Sequence, residues 1–153
     1  MNRLELGTEE VDCGGGFRYQ GLTIHIDGRS FIRLVCEVER PMAAREGHPD
    51  LAGSYAWVPA DKDALRELQP QAEPKSKPLL LQCTCGEAGC WPLLADVITD
   101  GDVVTWSNFE QPHRGPDPGA GCWRYEGFRP LVFDAGLYAL EVARLEAALQ
   151  LRA

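Results

Sequence analysis

Cys83, Cys85 and Cys90 fall close together in the stretch Cys83-Thr84-Cys85-Gly86-Glu87-Ala88-Gly89-Cys90, a C-x-C-G-x-x-G-C pattern. Thiolates are good zinc ligands, and glycines between them let a short loop wrap an ion or aim backbone N–H groups at sulfur. A tetrahedral zinc site needs a fourth ligand. His113 follows in the loop beyond the next hairpin, and Cys122 is the alternative a little further on. The pattern differs from a C-x₂₋₄-C knuckle, because C-x-C on an extended chain points its two side chains to opposite faces. Two other readings stand beside zinc. The cysteines can be small buried core residues around a glycine turn, or a redox pair. A redox pair needs a depressed thiol pKa, yet there is no C-x-x-C and no following helix to provide it, and Glu87 opposes thiolate formation. Cys13, in Cys13-Gly14-Gly15-Gly16, and Cys36, in an apolar run, read as unrelated to the cluster.

His113-Arg114 is the second place where chemistry can reside. A histidine can move a proton and an adjacent arginine can stabilise a developing negative charge. The plainer reading is a solvated loop whose histidine bonds to backbone. His25 lies on a strand pattern and His48 in a polar loop, and both read as surface residues. The sequence has no P-loop, no G-x-G-x-x-G, no G-x-S-x-G, no H-E-x-x-H and no calcium-loop pattern. Gly14-Gly15-Gly16 is not followed by a helix pattern and therefore does not read as a phosphate loop.

Cys83 to Cys90, then Val104-Thr105-Trp106-Ser107-Asn108-Phe109, then Gln111-Pro112-His113-Arg114 carry a resemblance. The order resembles that of an uncharacterised family of small bacterial proteins, with Trp123, Tyr125, Phe128 and Phe133 belonging to the same pattern. The resemblance covers roughly residues 79–150. It implies that the cysteines and the stretch from Trp106 to Arg114 form one unit, and it brings no activity, substrate or cofactor with it.

The elements that must position these residues are mostly strands. Leu22, Ile24 and Ile26 alternate before Asp27-Gly28, and Ile32, Leu34, Cys36 and Val38 alternate after it, which reads as a hairpin. The apolar sets share one face only if the loop is Asp27-Gly28-Arg29, pairing Ile26 with Ser30, and that register is expected. Pro41 to Gly53 reads as loop, and Ser54 to Val58 as a short strand with Tyr55 and Trp57 on one side. Asp61 can cap a short helix that buries Leu65 and Leu68. Residues 69–78 are polar, with three prolines, and form an exposed connector, the only plausible internal boundary.

Leu79 to Gln82 reads as a buried strand leading into the cysteines. A hairpin from Trp91 to Phe109 turns at Asp100-Gly101, pairing Thr99 with Asp102 and Val97 with Val104. One face then carries Leu93, Ala95, Val97, Val104 and Trp106, and the opposite face carries Ile98, Val103 and Phe109. One more strand is expected around Trp123 to Tyr125. A terminal helix runs from Ala135 to about Leu149, with Asp134 as N-cap, Phe133 stapled onto Tyr138, and a stripe of Tyr138, Val142, Leu145 and Leu149. These elements predict an α+β fold: antiparallel hairpins forming a sheet, packed on a C-terminal amphipathic helix, with one short helix in the middle. A single domain over residues 1–153 is expected, since either side of the connector alone is too small for a good core.

Composition narrows the function classes. Fifteen basic against 23 acidic residues give a net charge of -8, which argues against holding nucleic acid on a broad basic face. No run approaches the ~18 apolar residues of a membrane span. There is no apolar stretch before Glu9 and Glu10 to act as a secretory signal, so a cytoplasmic protein is expected, where thiols stay reduced or metal-bound. The leading expectation is a small interaction or assembly domain, with a protein partner or self-association, possible structural zinc, and no nucleic acid or membrane. The alternative is a small enzyme using His113 and Arg114 beside the cysteine loop.

Overall fold

The computed structural model describes residues 1–115 and 121–151. Among the described residues, the strands form two antiparallel sheets. The first contains β1 (Leu4–Asp12), β2 (Arg18–Ile26) and the short β3 (Arg29–Ser30), in that order. The second contains β4 (Tyr55–Ala56), β5 (Leu79–Cys83), β6 (Leu93–Asp100), β7 (Val103–Glu110) and β8 (Leu131–Asp134), also in chain order. Three α-helices accompany them among the described residues: α1 (Phe31–Arg45), α2 (Lys62–Glu67) and the C-terminal α3 (Ala135–Leu151). This is the expected α+β architecture. No helix among the described residues is long and apolar enough to cross a membrane.

The segment after Asp27-Gly28 corrects the sequence reading. The turn holds Asp27 at φ 54° and Gly28 at φ 80°, the pair of left-handed residues that a two-residue type I′ loop requires. Ile26 therefore pairs with Arg29, not Ser30, and pairing ends after two residues. From Phe31 the chain is helical. Phe31, Val35, Glu39 and Met42 recur at spacings of four, four and three and are buried, whereas Ile32, Leu34, Cys36 and Val38 are only half-buried. The apolar positions are dense enough to satisfy either period, and packing selects the helical one. The helix runs through Pro41, at the loss of one backbone hydrogen bond, because Met42 and Ala43 just beyond it are buried.

In the second hairpin the loop is Gly101-Asp102, with the glycine at φ 59°, so Asp100 pairs with Val103 and Val97 with Trp106. This differs from the expected register by two residues, which leaves every side chain on its expected face up to Ser107. A bulge then intervenes, with Asn108 at φ 53° between the pairs Asp96–Ser107 and Leu94–Glu110. The extra residue turns Phe109 inward, where its ring lies 6.2 Å from Phe31. Trp123 and Tyr125 are buried but form no strand; the strand that completes the sheet is β8, pairing Val103–Trp106 with Leu131–Asp134.

The other two helices follow their signals. Asp61 accepts from the Ala64 amide at 2.9 Å and α2 buries Leu65, with Leu68 just after it. Asp134 accepts from the Leu137 amide at 2.8 Å, and the Phe133 and Tyr138 rings meet at 5.4 Å. Tyr138, Val142 and Leu145 are buried, and Leu149 packs against the same core. The 69–78 connector is stitched to β6: Gln71 donates to Val97 O at 2.9 Å and accepts from the Thr99 amide at 2.8 Å.

The two sheets meet where β2 passes beneath residues 57–60. Leu22 N–H donates to Val58 O at 2.7 Å and Ala60 N–H to Gln20 O at 2.9 Å. Gly21 sits at this crossing, where an added Cβ falls 2.6 Å from Val11 Cγ2 and 2.8 Å from Trp57 Cβ. Gly21→Ala should therefore destabilise the fold by ~1–3 kcal/mol through overpacking. Gly127→Ala, where nothing lies within 4 Å, should be near neutral. Urea denaturation of the two variants checks this pair, and equal midpoints would show the crossing to be loosely packed.

Candidate metal centre

β5 ends on Cys83, and the chain turns immediately. Gly86 N–H closes the turn onto Cys83 O at 3.0 Å, with Gly86 at φ 92°, a backbone conformation that favours glycine. Because the strand stops there, Cys83 and Cys85 do not diverge as they would on extended chain. Cys90 returns through its amide's bond to Glu87 O at 3.3 Å. The sulfurs of Cys83, Cys85 and Cys90 all lie within 4.8 Å of one another. A tetrahedral zinc–thiolate site with bonds of ~2.3 Å sets its sulfurs about 3.8 Å apart, so a small contraction around an ion suffices. Cys83 is half-buried and the other two are exposed. This is a cysteine cluster capable of coordinating a metal.

The electrostatics of the cluster are those of crowded thiols. Burial works against ionisation of Cys83, but the Cys85 amide at 3.4 Å, the Cys85 and Cys90 thiols and the Thr84 hydroxyl outweigh it and hold Cys83 below the ordinary thiol range. Cys90 is pushed up to about 12 by its hydrogen bonds to Cys83 and Cys85 and by their charge. Crowding thus moves Cys83 and Cys90 in opposite directions, and a divalent ion among the sulfurs would favour ionisation of both.

His113 reaches the same loop. It sits in a 3-10 turn, Pro112–Arg114, after β7, and its Nε2 donates to Gly89 O at 3.2 Å. Its ring stacks on Trp91 at 5.9 Å and 5°. Among the described residues, no histidine or carboxylate joins the three sulfurs in their group. Cys122 is exposed and lies outside that group too, lining a cavity of about 340 Å³ with Gln111, Arg114, Trp123 and Tyr125.

Arg114 is firmly held. Its Nε donates to both carboxylate oxygens of Glu46 at 3.0 and 3.2 Å, and Nη1 donates to His113 O at 2.9 Å. Its guanidinium lies 5.0 Å from the Trp91 ring and 5.9 Å from the Trp123 ring. Trp123 Nε1 donates to the same Glu46 at 2.7 Å. The arginine's charge is compensated in place, and Glu46 ties the end of α1 to the loop.

Two neighbours of the site escape a reading of the sequence. One is Glu39, fully buried on α1, whose carboxylate accepts from the hydroxyls of Tyr55 and Tyr125, both at 2.5 Å, and from the Gly53 amide at 2.9 Å. Gln111 extends this network towards the cysteine loop: Nε2 donates to Tyr55 Oη at 3.1 Å and to Pro92 O at 2.9 Å, and Oε1 accepts from the His113 amide at 3.1 Å. Recognising residues 31–45 as a helix would have placed Glu39 in its apolar stripe. The other is Cys13, which read as unrelated. Its sulfur lies 3.3 Å from where a Cβ at Gly86 would sit. Only tertiary docking brings it there, so no local signal could reveal it.

Comparison of the chain with family models, curated proteins and solved structures finds no match. The site's own chemistry therefore carries the functional reading.

Proposed function

We propose that this protein is a small interaction or assembly domain whose Cys83–Cys90 loop holds a structural zinc ion, working in a reducing, cytoplasmic setting. The observation that carries the reading is the convergence of three thiol sulfurs within 4.8 Å on one short loop. Three soft ligands in this geometry favour zinc over hard, oxygen-seeking cations. The loop borders the His113–Arg114 turn, which the Glu39 network fixes to the core, so an ion there would stiffen one end of the second sheet. The interaction half of the reading draws on α3, whose outward side exposes Leu137, Leu140 and Leu151. An enzyme built on His113 and Arg114 is the weaker alternative, because Glu46 already neutralises the arginine and Gly89 O engages His113 Nε2.

Elemental analysis of the purified, reduced protein tests the zinc directly. The expected result is one zinc per chain, with the metal lost in Cys85→Ser. Bound zinc should also raise the melting temperature, since a ligand of the native state alone stabilises it, and a chelator should reverse the gain. A folded, stable wild-type protein that takes up no metal would overturn the reading.

A further inference from the structure

Three protein ligands leave a zinc ion with an open position, as in catalytic centres, whereas structural centres are closed by a fourth. We infer that Cys13, on the turn between β1 and β2, supplies that fourth thiolate and so makes the centre a clamp between the two sheets. The inference rests on the zinc reading above.

The turn is built to face the cysteine loop. Cys13 N–H donates to Phe17 O at 2.9 Å and Phe17 N–H to Gly14 O at 3.0 Å, closing a tight loop at the tip of the hairpin. Asp12 Oδ1 accepts from the Gly14 amide at 2.8 Å and fixes its start. The tip rests against Gly86, the glycine directly after Cys85: a Cβ there would meet the Phe17 ring at 3.1 Å and Cys13 Sγ at 3.3 Å. A glycine at this point lets the thiol of Cys13 approach the other three.

A half-buried polar bridge holds the two loops in register. Gln82, the residue before Cys83, is buried, and its Nε2 donates to Tyr19 Oη at 3.0 Å and to Gly86 O at 3.5 Å. Tyr19 in turn donates to Trp57 O at 2.7 Å. Its hydroxyl also lies beside the Cys13 thiol. The β1–β2 tip is therefore anchored at Tyr19, one side chain away from the proposed ligand.

Cys13 lies outside the group of sulfurs within 4.8 Å, so coordination draws it inward. The turn can supply that movement. Gly14, Gly15 and Gly16 occupy left-handed φ values of 87°, 61° and 81°, and a Cβ at any of them would meet nothing within 4 Å. On binding, the four thiols release their protons to solvent and coordinate through sulfur, with no change of oxidation state. His113 keeps its bond to Gly89 O and braces the loop from the other side.

Cobalt(II) replaces zinc in such sites and shows a sulfur-to-metal charge-transfer band whose intensity follows the number of thiolates. In the reduced full-length protein, Cys13→Ser should lose about a quarter of that band, one thiolate in four, and bind zinc at least ~10-fold more weakly, whereas His113→Ala should keep the full band. In the wild type, zinc should protect Cys13, Cys83, Cys85 and Cys90 from alkylation, read by mass spectrometry, and leave Cys36 and Cys122 unaffected. The alkylation experiment needs no variant and so does not depend on Cys13→Ser folding normally. If Cys13 is alkylated equally fast with and without zinc while the other three are protected, or if Cys13→Ser keeps the full band, the fourth-ligand assignment fails and the zinc reading stands. A wild type that gives no cobalt band overturns both.

Discussion

Glu39→Ala should destabilise the protein by ~3 kcal/mol or more, a large share of the ~5–15 kcal/mol that holds a domain of this size together. The variant strips the acceptor from three donors at once: the hydroxyls of Tyr55 and Tyr125 and the Gly53 amide. Each donor is then left in the interior without its partner, at ~1–3 kcal/mol apiece where nothing rearranges. Glu39→Gln should cost less, because an amide oxygen still accepts from Gly53 and the amide N–H groups can face the phenol oxygens. Urea denaturation monitored by circular dichroism ranks the two, and an alanine variant as stable as wild type would show the network to be dispensable.

The same carboxyl gives a pH signature. Burial lifts the Glu39 pKa above the ordinary carboxylate value, and the hydrogen bonds from Tyr125, Tyr55 and Gly53 offset only part of that. The native state thus binds this proton more tightly than the unfolded chain does. Glu39's contribution to stability is complete below the unfolded carboxylate pKa and falls as the pH rises through the higher native value. The stability of wild type relative to Glu39→Gln should therefore decline with rising pH across that window. Unfolding curves taken in steps of pH on both proteins measure the difference, and a wild-type advantage that grows with pH would refute the assignment.

Trp106→Ala is the second large effect, at ~3–5 kcal/mol. Trp106 is fully buried, with Phe31 at 5.4 Å, Phe133 at 5.3 Å and Tyr138 at 6.4 Å around it. Truncation opens a cavity where the second sheet, α1 and α3 converge. It also removes a polar link, since Trp106 Nε1 donates to Tyr138 Oη at 3.1 Å and Tyr138 donates to Leu68 O at 2.6 Å. Trp106→Phe keeps most of the ring packing and loses only the first of those bonds, so it should cost much less than alanine. Thermal unfolding of both variants provides the comparison, and equal losses would mean that the cavity is not the main term.

The parts of the fold that the sequence discloses are those whose signals are local and agree with one another. For α3, the cap at Asp134, the staple from Phe133 and the stripe through Leu145 all name the same helix. The second hairpin keeps its faces although its turn lies one residue further on, because a shift of two in pairing preserves the side-chain alternation. Residues 31–45 misled because their apolar positions fit two periods, and the choice rested on which of them the rest of the protein would cover. β1 carried little signal: beyond Leu4 and Leu6 its side chains are polar or half-exposed, and its pairing with β2 defines it as a strand. The cysteine cluster divides similarly. Three members share one loop and can be read together, while Cys13 arrives from a different sheet and Glu39 is explained only by the tyrosines that surround it.

The way β1 is clasped has a consequence for how the chain reaches this structure. Leu6 N–H donates to Glu141 at 2.7 Å, Arg144 donates back to Leu6 O at 2.5 Å, and Asn2 N–H donates to Val132 O at 2.7 Å. These contacts span nearly the whole chain, and long-range closures of this kind slow folding because the loop entropy must be overcome before they form. During synthesis the first hairpin emerges early, but its outer strand cannot be sealed until α3 has left the ribosome. Until then β1 offers an unsealed backbone edge at Leu6, which Glu141 and Arg144 close only once α3 is in place.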